Sequence, residues 1–399
     1  MRLKRDQWER AAVVGTLLVL LLAWLFGGMR QEAGIHQKLV QATPKGMVYI
    51  AESENLWAAR PAELEHTTQW LSLAKANGYG GPLEVVTAID TQGRVSGIAV
   101  TTSAETASYL QQVISSGLVD AYLNQLATTL HSADAVTGAT LTSEALQGAI
   151  TSSVQHSGRH ALGLDIPETA KPALTLPDWM DGLALLLFIA AIVINRPGFT
   201  HKVIGRRVVM GLSLVFLGFY AAAPFGAGTL GFVLNGFWLD GVASYTSMLL
   251  LIATFGYLLY SNKNVYCNTV CPFGAAQECI GKLNKAKACK SNHPLVIWTP
   301  RLLLTVALAM GLYFRNPSSF SFEPFGMAFN MIGGPLLFAL TIAIVLTSLF
   351  VSKPWCQSLC PVSQVAAFTR VAKQWVKSSG KKARTSGNTE SAKEKPHAK

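Results

Sequence analysis

Residues 11–28 read AAVVGTLLVLLLAWLFGG, with no charge and a single hydroxyl, at Thr16. A helix needs about 20 apolar residues to cross a bilayer. This stretch therefore sets the fold class before any motif is read. Arg2, Lys4 and Arg5 precede it, and no small-x-small cleavage pattern follows. It reads as an uncleaved anchor rather than a signal peptide. Five more apolar runs follow, at about 181–194, 208–223, 245–259, 297–314 and 335–351. Several are short, so the flanking Trp179, Tyr260, Trp298 and Trp355 are expected to complete them at the interfaces. Buried core helices of a soluble protein are the competing reading. They would alternate apolar and polar faces, and these runs do not.

The composition agrees. Of 399 residues, 50% are hydrophobic and 14% charged, against about 25% charged in an ordinary soluble domain. A disordered chain and a single soluble domain are both excluded. The expected fold class is an α-helical integral membrane protein with about six transmembrane helices and an inserted extracytoplasmic α+β domain.

Short basic loops orient such a chain. Arg196, Lys202, Arg206 and Arg207 lie between the second and third runs. Lys263, Lys282, Lys285, Lys287 and Lys290 lie between the fourth and fifth. The opposite loops hold only Asp240, Arg315 and Glu323. Both termini and the basic loops are expected in the cytoplasm of a bacterium, and residues 31–177 outside its cytoplasmic (inner) membrane. The expected organisation is an anchor at 1–30, an external domain at 31–177, a five-helix module at 178–369 and a basic disordered tail at 370–399. The tail carries nine Lys/Arg and two Glu. It suits an anionic membrane surface better than nucleic acid, because no nucleic-acid-binding fold accompanies the charge.

The external segment is acidic and lacks cysteine. Leu83–Ile89 and Val95–Thr101 read as strands around the turn Asp90–Gly93, with a helix expected over 106–126. Asp134-Ala135-Val136-Thr137-Gly138-Ala139-Thr140 then leads into Leu141, Ala145, Leu146, Ala149 and Ile150 at helical spacing. A glycine-containing loop thus opens onto a helix N-terminus, where free N–H groups and the helix dipole favour phosphate. Alone the pattern is weak, since Thr140 or Thr142 also reads as a plain N-cap.

Asp134-x-x-Thr137-Gly138-Ala139-Thr140 resembles the flavinylation motif of FMN-binding domains of the NqrC and RnfG type. Gly78–Leu83 and Glu105-Thr106 extend that likeness, over roughly residues 45–162. The resemblance implies FMN joined covalently by a phosphoester to Thr140, with Asp134, Thr137, Gly138 and Ala139 forming the loop. It also implies a flavin transferase as maturation partner. Many relatives carry histidine where this chain has Ser103.

All six cysteines lie at or after Cys267. Cys267-x3-Cys271-Pro272 follows the fourth run and Cys356-x3-Cys360-Pro361 follows the sixth. A reducing cytoplasm disfavours disulfides. Inert thiols and a four-thiolate zinc site compete with an iron–sulfur cluster, which thiolates also hold. Six thiols suffice for one [4Fe–4S] cluster and not for two with four cysteines each. The two pairs rank first as ligands, Cys279 and Cys289 second.

Cys267–Glu278 resembles the C-x3-C-P module of NapH, CcoG and NosR. The second pair is followed by Val362-Ser363 and matches less closely. An external FMN domain, five helices and two such pairs is the NosR/PceC arrangement. That resemblance implies electron transfer between the cytoplasmic side or the quinol pool and an extracytoplasmic redox partner. The alternative is a redox-sensing regulator or maturation factor for an external metalloenzyme. No acid–base pair or nucleophile stands out, so an electron-transfer component is expected rather than an autonomous catalyst. No apolar run contains Cys or His, so a carrier such as quinone or a partner must bridge the bilayer. The Phe-rich loops 225–238 and 320–329 offer a quinone or docking surface, with ordinary interfacial packing the preferred reading.

Overall fold

The computed structural model describes residues 2–32, 34–166, 177–239, 241–288 and 294–375. Cys289, Asp240, part of the segment before the second apolar run and the tail beyond residue 375 lie outside the described residues.

The chain opens with α1 (Arg2–Glu32) and a short α2 (Ile35–Gln41). Five strands follow: β1 (Met47–Ser53), β2 (Leu56–Pro61), β3 (Gln69–Asn77), β4 (Pro82–Asp90) and β5 (Val95–Ser103). They form one antiparallel sheet in sequence order. After it come α3 (Ala107–Ser115) and α4 (Thr140–Leu162). Further helices are α5 (Trp179–Ile194), α6 (Lys202–Ser213), α7 (Ala227–Asn235), α8 (Thr246–Ser261), α9 (Pro272–Leu283), α10 (Pro294–Tyr313), α11 (Phe325–Asn330), α12 (Pro335–Ser348) and α13 (Pro354–Ser358), and residues 361–375 are helical as well.

Among the described residues three helices are long and apolar enough to cross a membrane: Ala11–Arg30, Lys202–Tyr220 and Val296–Tyr313. Three of the expected runs form shorter apolar helices, Trp179–Ile194, Thr246–Ser261 and Pro335–Ser348. The third run starts earlier than its apolar residues suggest. The helix begins at Lys202, and α6 passes into a π-helical stretch over Leu214–Tyr220.

Two compact units emerge. The first comprises Met1–Gly182, Phe225–Met248 and Leu302–Ala343. Its sheet is covered on both faces. Leu83, Val85 and Ile89 of β4 pack with Leu146, Ile150 and Val154 of α4. Val86 and Ala88 face the other way, into a cluster with Leu39 of α2. Seven consecutive residues of β4 are therefore buried, as in a strand covered on both faces, and all but Glu84 and Thr87 are apolar. The turn after it is tied by Asp90, whose Oδ1 accepts the N–H of Gln92 at 2.9 Å and of Arg94 at 2.8 Å.

The helix expected over 106–126 is shorter than its pattern. It stops at Ser115, where the hydroxyls of Ser115 and Ser116 donate back to the carbonyls of Gln112 and Val113. Gly117 then takes φ +82°. Hydroxyl competition and a left-handed glycine together end the helix. A single 3-10 turn at Asp120–Tyr122 follows.

The second unit comprises Leu183–Pro224, Leu249–Arg301 and Ile344–Lys399. Residues of α6, the π-helical turn Tyr266–Val270, α9 and α13 build the cysteine region. Gly281 of α9 faces the Ser348 carbonyl, where a Cβ would stand 3.2 Å away. A small residue there lets the two chain segments approach closely.

Candidate functional site

Two sites are built, one in each unit. In the first, Thr140 is the opening residue of α4 and is exposed, while the N-cap before it, Ala139, is 3% exposed. Thr140 is thus not the N-cap. Its hydroxyl is presented to solvent at the end of the helix where N–H groups lack helical partners. Gly138 has φ +82°, and a Cβ there would lie 3.3 Å from Ile332 Cδ1. A side chain there would sit in a left-handed backbone and would need the tip of Ile332 to give slightly.

Ser143 holds the loop in shape. Its hydroxyl accepts the Val136 N–H at 3.1 Å and donates to the Ala139 carbonyl at 3.0 Å. Asp134, Thr137 and Gly138 are exposed, so the loop offers polar groups rather than burying them. These residues fit a phosphate-bearing ligand: an exposed hydroxyl, a left-handed glycine and a helix N-terminus meet at one point.

Behind the loop, Thr142 is buried and donates to Glu105 Oε2 at 3.2 Å. The same oxygen accepts the Gly80 N–H at 3.1 Å. Glu105 is 1% exposed. Burial pushes its carboxyl up to about 7, against the hydrogen bonds from Gly80 and Thr142. Gly78 lies so close to the Glu105 carboxyl that a Cβ would collide with it. The turn 78–81 and the Glu105 position are therefore one construction. Ser103 accepts the Glu105 N–H at 3.0 Å. Ser103 thus fixes the backbone leading to Glu105.

A second wall leaves no local trace in the sequence. Ser318 donates to the Gly80 carbonyl at 3.0 Å, and Asn316 to the Ser103 carbonyl at 2.6 Å. Asn330 donates to the Tyr109 hydroxyl at 2.9 Å, and Tyr109 stacks on Tyr79 with centroids 6.1 Å apart. Ile332 belongs to the same apolar core as Ala139 and Leu146. The connection between α10 and α12 thus completes the sheet domain. Phe232 and Phe237 pack against Ala104. Packing accounts for these aromatic residues. The only advance signal was the apolar, glycine-rich composition of the loops.

In the second unit the two C-x3-C-P pairs have the same local geometry. Cys271 N–H donates to the Tyr266 carbonyl at 2.8 Å, and Cys360 N–H to the Trp355 carbonyl at 3.0 Å. Tyr266 and Trp355 each directly precede the first cysteine of a pair, and both are 1% exposed. Each pair is therefore a wide turn pinned by a buried aromatic residue. Cys271 is also the N-cap of α9, with its sulfur accepting the Gly274 N–H at 3.5 Å.

Cys267, Cys271, Cys356 and Cys360 form one electrostatically coupled group. Burial raises the Cys267 thiol, and Cys271 and Cys356 raise it further. Burial likewise raises Cys360, followed by Cys267, Cys356 and Cys271. Burial and then Cys271 push Cys356 up to about 12. Asn264 Nδ2 donates to the Cys267 sulfur at 3.1 Å and Gln277 Nε2 to the Cys356 sulfur at 3.5 Å. Gln277 also accepts the Trp355 N–H at 3.1 Å, so it ties the two pairs together.

Beside them Glu278 gathers Arg206 at 2.5 Å, Lys353 at 2.8 Å and Lys282 at 3.2 Å. Partial burial alone would raise this carboxyl. The hydrogen bonds from Arg206 and Lys353 outweigh it and hold the group at about 2. Cys279 is exposed. Among the described residues no three His, Cys, Asp or Glu side chains converge tightly enough to enclose a single metal ion. One tetrahedral zinc needs four sulfurs at about 2.3 Å from a common centre. A polynuclear cluster takes each thiolate on a different iron and so accepts a wider set. Four grouped thiols with N–H donors aimed at three of their sulfurs fit such a cluster.

Comparison with known proteins matches a family model to each region of the chain. Residues 78–155 match the family model of the FMN-binding domain. Residues 243–288 and 333–375 match that of a 4Fe-4S binding domain, one segment around each cysteine pair. The chain is 26% identical over 213 residues to the Regulatory protein NosR of Pseudomonas aeruginosa. That match covers 49% of this chain and 29% of the relative, so it spans less than a third of the relative's length. The chain thus carries an FMN-binding domain and a 4Fe-4S binding domain together with apolar helices suited to a membrane, and over part of its length it is similar to NosR.

Proposed function

We propose that the chain is a membrane-bound electron-transfer protein. It passes electrons between the cytoplasmic side or the quinol pool and an extracytoplasmic acceptor, through FMN esterified to Thr140. The observation that carries this reading is the pairing, in one chain, of an exposed Thr140 at a helix opening with a group of four coupled cysteines. Cys267, Cys271, Cys356 and Cys360 hold one [4Fe–4S] cluster, and Cys279, which is exposed, does not. FMN exchanges one or two electrons and the cluster exchanges one, so together they link a two-electron donor to a one-electron chain.

Six helices cross the bilayer in this reading, the three short ones completed by interfacial aromatic residues. The basic loops after the second, fourth and sixth helices support a cytoplasmic cysteine module and an external flavin domain. The chain's own residues supply binding and positioning. Ser143 and Gly138 shape the flavin loop, Gln277 and Asn264 aim N–H groups at cluster sulfurs, and Glu278 neutralises surrounding cations.

The test is expression with an active flavin transferase, denaturation, and ultraviolet inspection of the gel band. A fluorescent wild-type band beside a dark Thr140→Val band supports the reading. A dark wild-type band, with the transferase active on a control, removes it. A second reading is favoured by the similarity to a regulatory protein: the chain senses or adjusts an external metalloenzyme. Acceptor-dependent turnover in membranes separates the two, because a conduit sustains it and a sensor does not.

A further inference from the structure

A cavity of about 750 Å³ opens in the first unit, away from the Thr140 loop. It lies where two apolar spans end, with Gly27 and Arg30 of α1 on one side and Tyr313 to Asn316 on the other. Strands β4 and β5 contribute Glu84 and residues 101–103. Four cations line it, Arg30, Lys38, Lys75 and Arg315, against the single carboxylate of Glu84. That excess stands out, because the surrounding domain is acidic overall.

The two lysines are already matched. Glu84 accepts Lys38 at 2.5 Å and Lys75 at 3.0 Å. The arginines are not. Arg315 donates to two neutral carbonyls, those of Asn235 and Trp24, each at 3.3 Å, and lies 5.5 Å from the centre of the Trp24 ring. Its Nε is buried without an acceptor. Arg30 lies over the rings of Phe314, at 4.8 Å, and Tyr313, at 5.5 Å. Among the described residues neither arginine has a carboxylate partner. Two unmatched guanidiniums beside a cavity present the fork geometry that phosphate oxygens take. Next to the cavity α1 exposes Leu18, Leu21, Leu22, Leu25 and Phe26, an apolar face suited to an acyl chain.

We propose that this cavity binds the phosphate of an anionic lipid headgroup, held by Arg30 and Arg315, with its acyl chains along α1. The inference rests on the spans crossing a bilayer and is independent of the flavin and the cluster. A neutral ring ligand would not need two unmatched cations. A zwitterionic headgroup would set its ammonium against them.

The experiment uses the full chain, delipidated in detergent and supplied with phosphatidylglycerol or phosphatidylcholine, with retained lipid counted by native mass spectrometry. Wild type retains phosphatidylglycerol roughly tenfold better than phosphatidylcholine, and Arg30→Gln/Arg315→Gln loses that preference. Arg315→Lys keeps part of it. If the double variant does not fold, judged by its thermal unfolding, Arg30→Gln alone gives the reading, since that side chain is exposed. Equal retention of the two lipids, or equal retention by wild type and variant, overturns the proposal. Inorganic phosphate is the third arm. If millimolar phosphate displaces the lipid and binds as tightly by itself, the site serves a soluble anion and the lipid assignment fails.

Discussion

Ile332 stands directly behind Gly138: a Cβ added to the glycine would lie 3.3 Å from Ile332 Cδ1. One residue belongs to the loop before Thr140, the other to the turn after α11. The loop before Thr140 is therefore shaped partly by the connection between α10 and α12. Gly138→Ala adds a side chain at φ +82° and is expected to cost about 1–2 kcal/mol of loop stability. At limiting transferase it should slow flavin attachment several-fold, measured by in-gel fluorescence over time. Ile332→Ala removes a core contact and should destabilise the sheet domain by about 2–5 kcal/mol. Unchanged attachment in Gly138→Ala would show that the loop is free to rearrange.

Glu105 supplies a pH-dependent prediction. Its carboxyl titrates at about 7 in the folded protein, above the ordinary value of 4.5, because it is buried. The folded state therefore keeps a proton that the unfolded state releases. Its contribution to stability is fully present below about 4.5 and is lost as pH rises towards 7. Glu105→Gln removes this dependence. The stability difference between variant and wild type should shift in the variant's favour by a few kcal/mol from pH 4.5 to 8. Denaturant midpoints at several pH values check it. A difference that does not vary with pH would mean that Glu105 is ionised throughout.

Some of this architecture was legible in the sequence and some was not, for physical reasons. The strands at 82–90 and 95–103 and the helix opening at Thr140 follow from local patterns: β-branched runs, a turn and apolar spacing of 3.6. The stop at Ser115 was not legible, because side-chain hydroxyls ended a helix whose apolar pattern continued. Ser318, Asn330 and Ile332 were invisible as partners of the flavin domain. They lie more than 150 residues from Thr140, and long-range contacts leave no local periodicity. The likeness of the two cysteine pairs went further than expected. Val362-Ser363 departs from the first pair's pattern, yet the preceding Tyr266 and Trp355 create the same pinned turn.

The cysteines separate by surroundings, and iron content should follow. Serine at Cys267, Cys271, Cys356 or Cys360 is expected to lower iron from about four per chain to a small fraction. Cys279→Ser should leave it unchanged, because that thiol is exposed and stands outside the coupled group. Iron and sulfide assays on anaerobically purified protein decide the matter. Loss of iron in Cys279→Ser with retention in Cys360→Ser would reverse the assignment. Zinc without iron in wild type would reject the cluster itself.

Gln277 gives the sharpest test of the cysteine geometry. It is 2% exposed, its amide oxygen accepts the Trp355 N–H, and its amide nitrogen donates to the Cys356 sulfur and the Phe273 carbonyl. An N–H directed at a cluster thiolate stabilises the more negative, reduced state and so raises the reduction potential. Gln277→Leu keeps the approximate volume and removes that donor. It also strands the Trp355 N–H, at a cost of about 1–3 kcal/mol in stability. The variant should therefore keep most of its iron yet be reduced at a lower potential, read by redox titration of the cluster signal. Gln277→Glu keeps an acceptor for Trp355 but loses the donor and adds negative charge, so it should fall lower still. An unchanged potential in both variants would mean that Gln277 does not reach the sulfur of Cys356 when the cluster is bound.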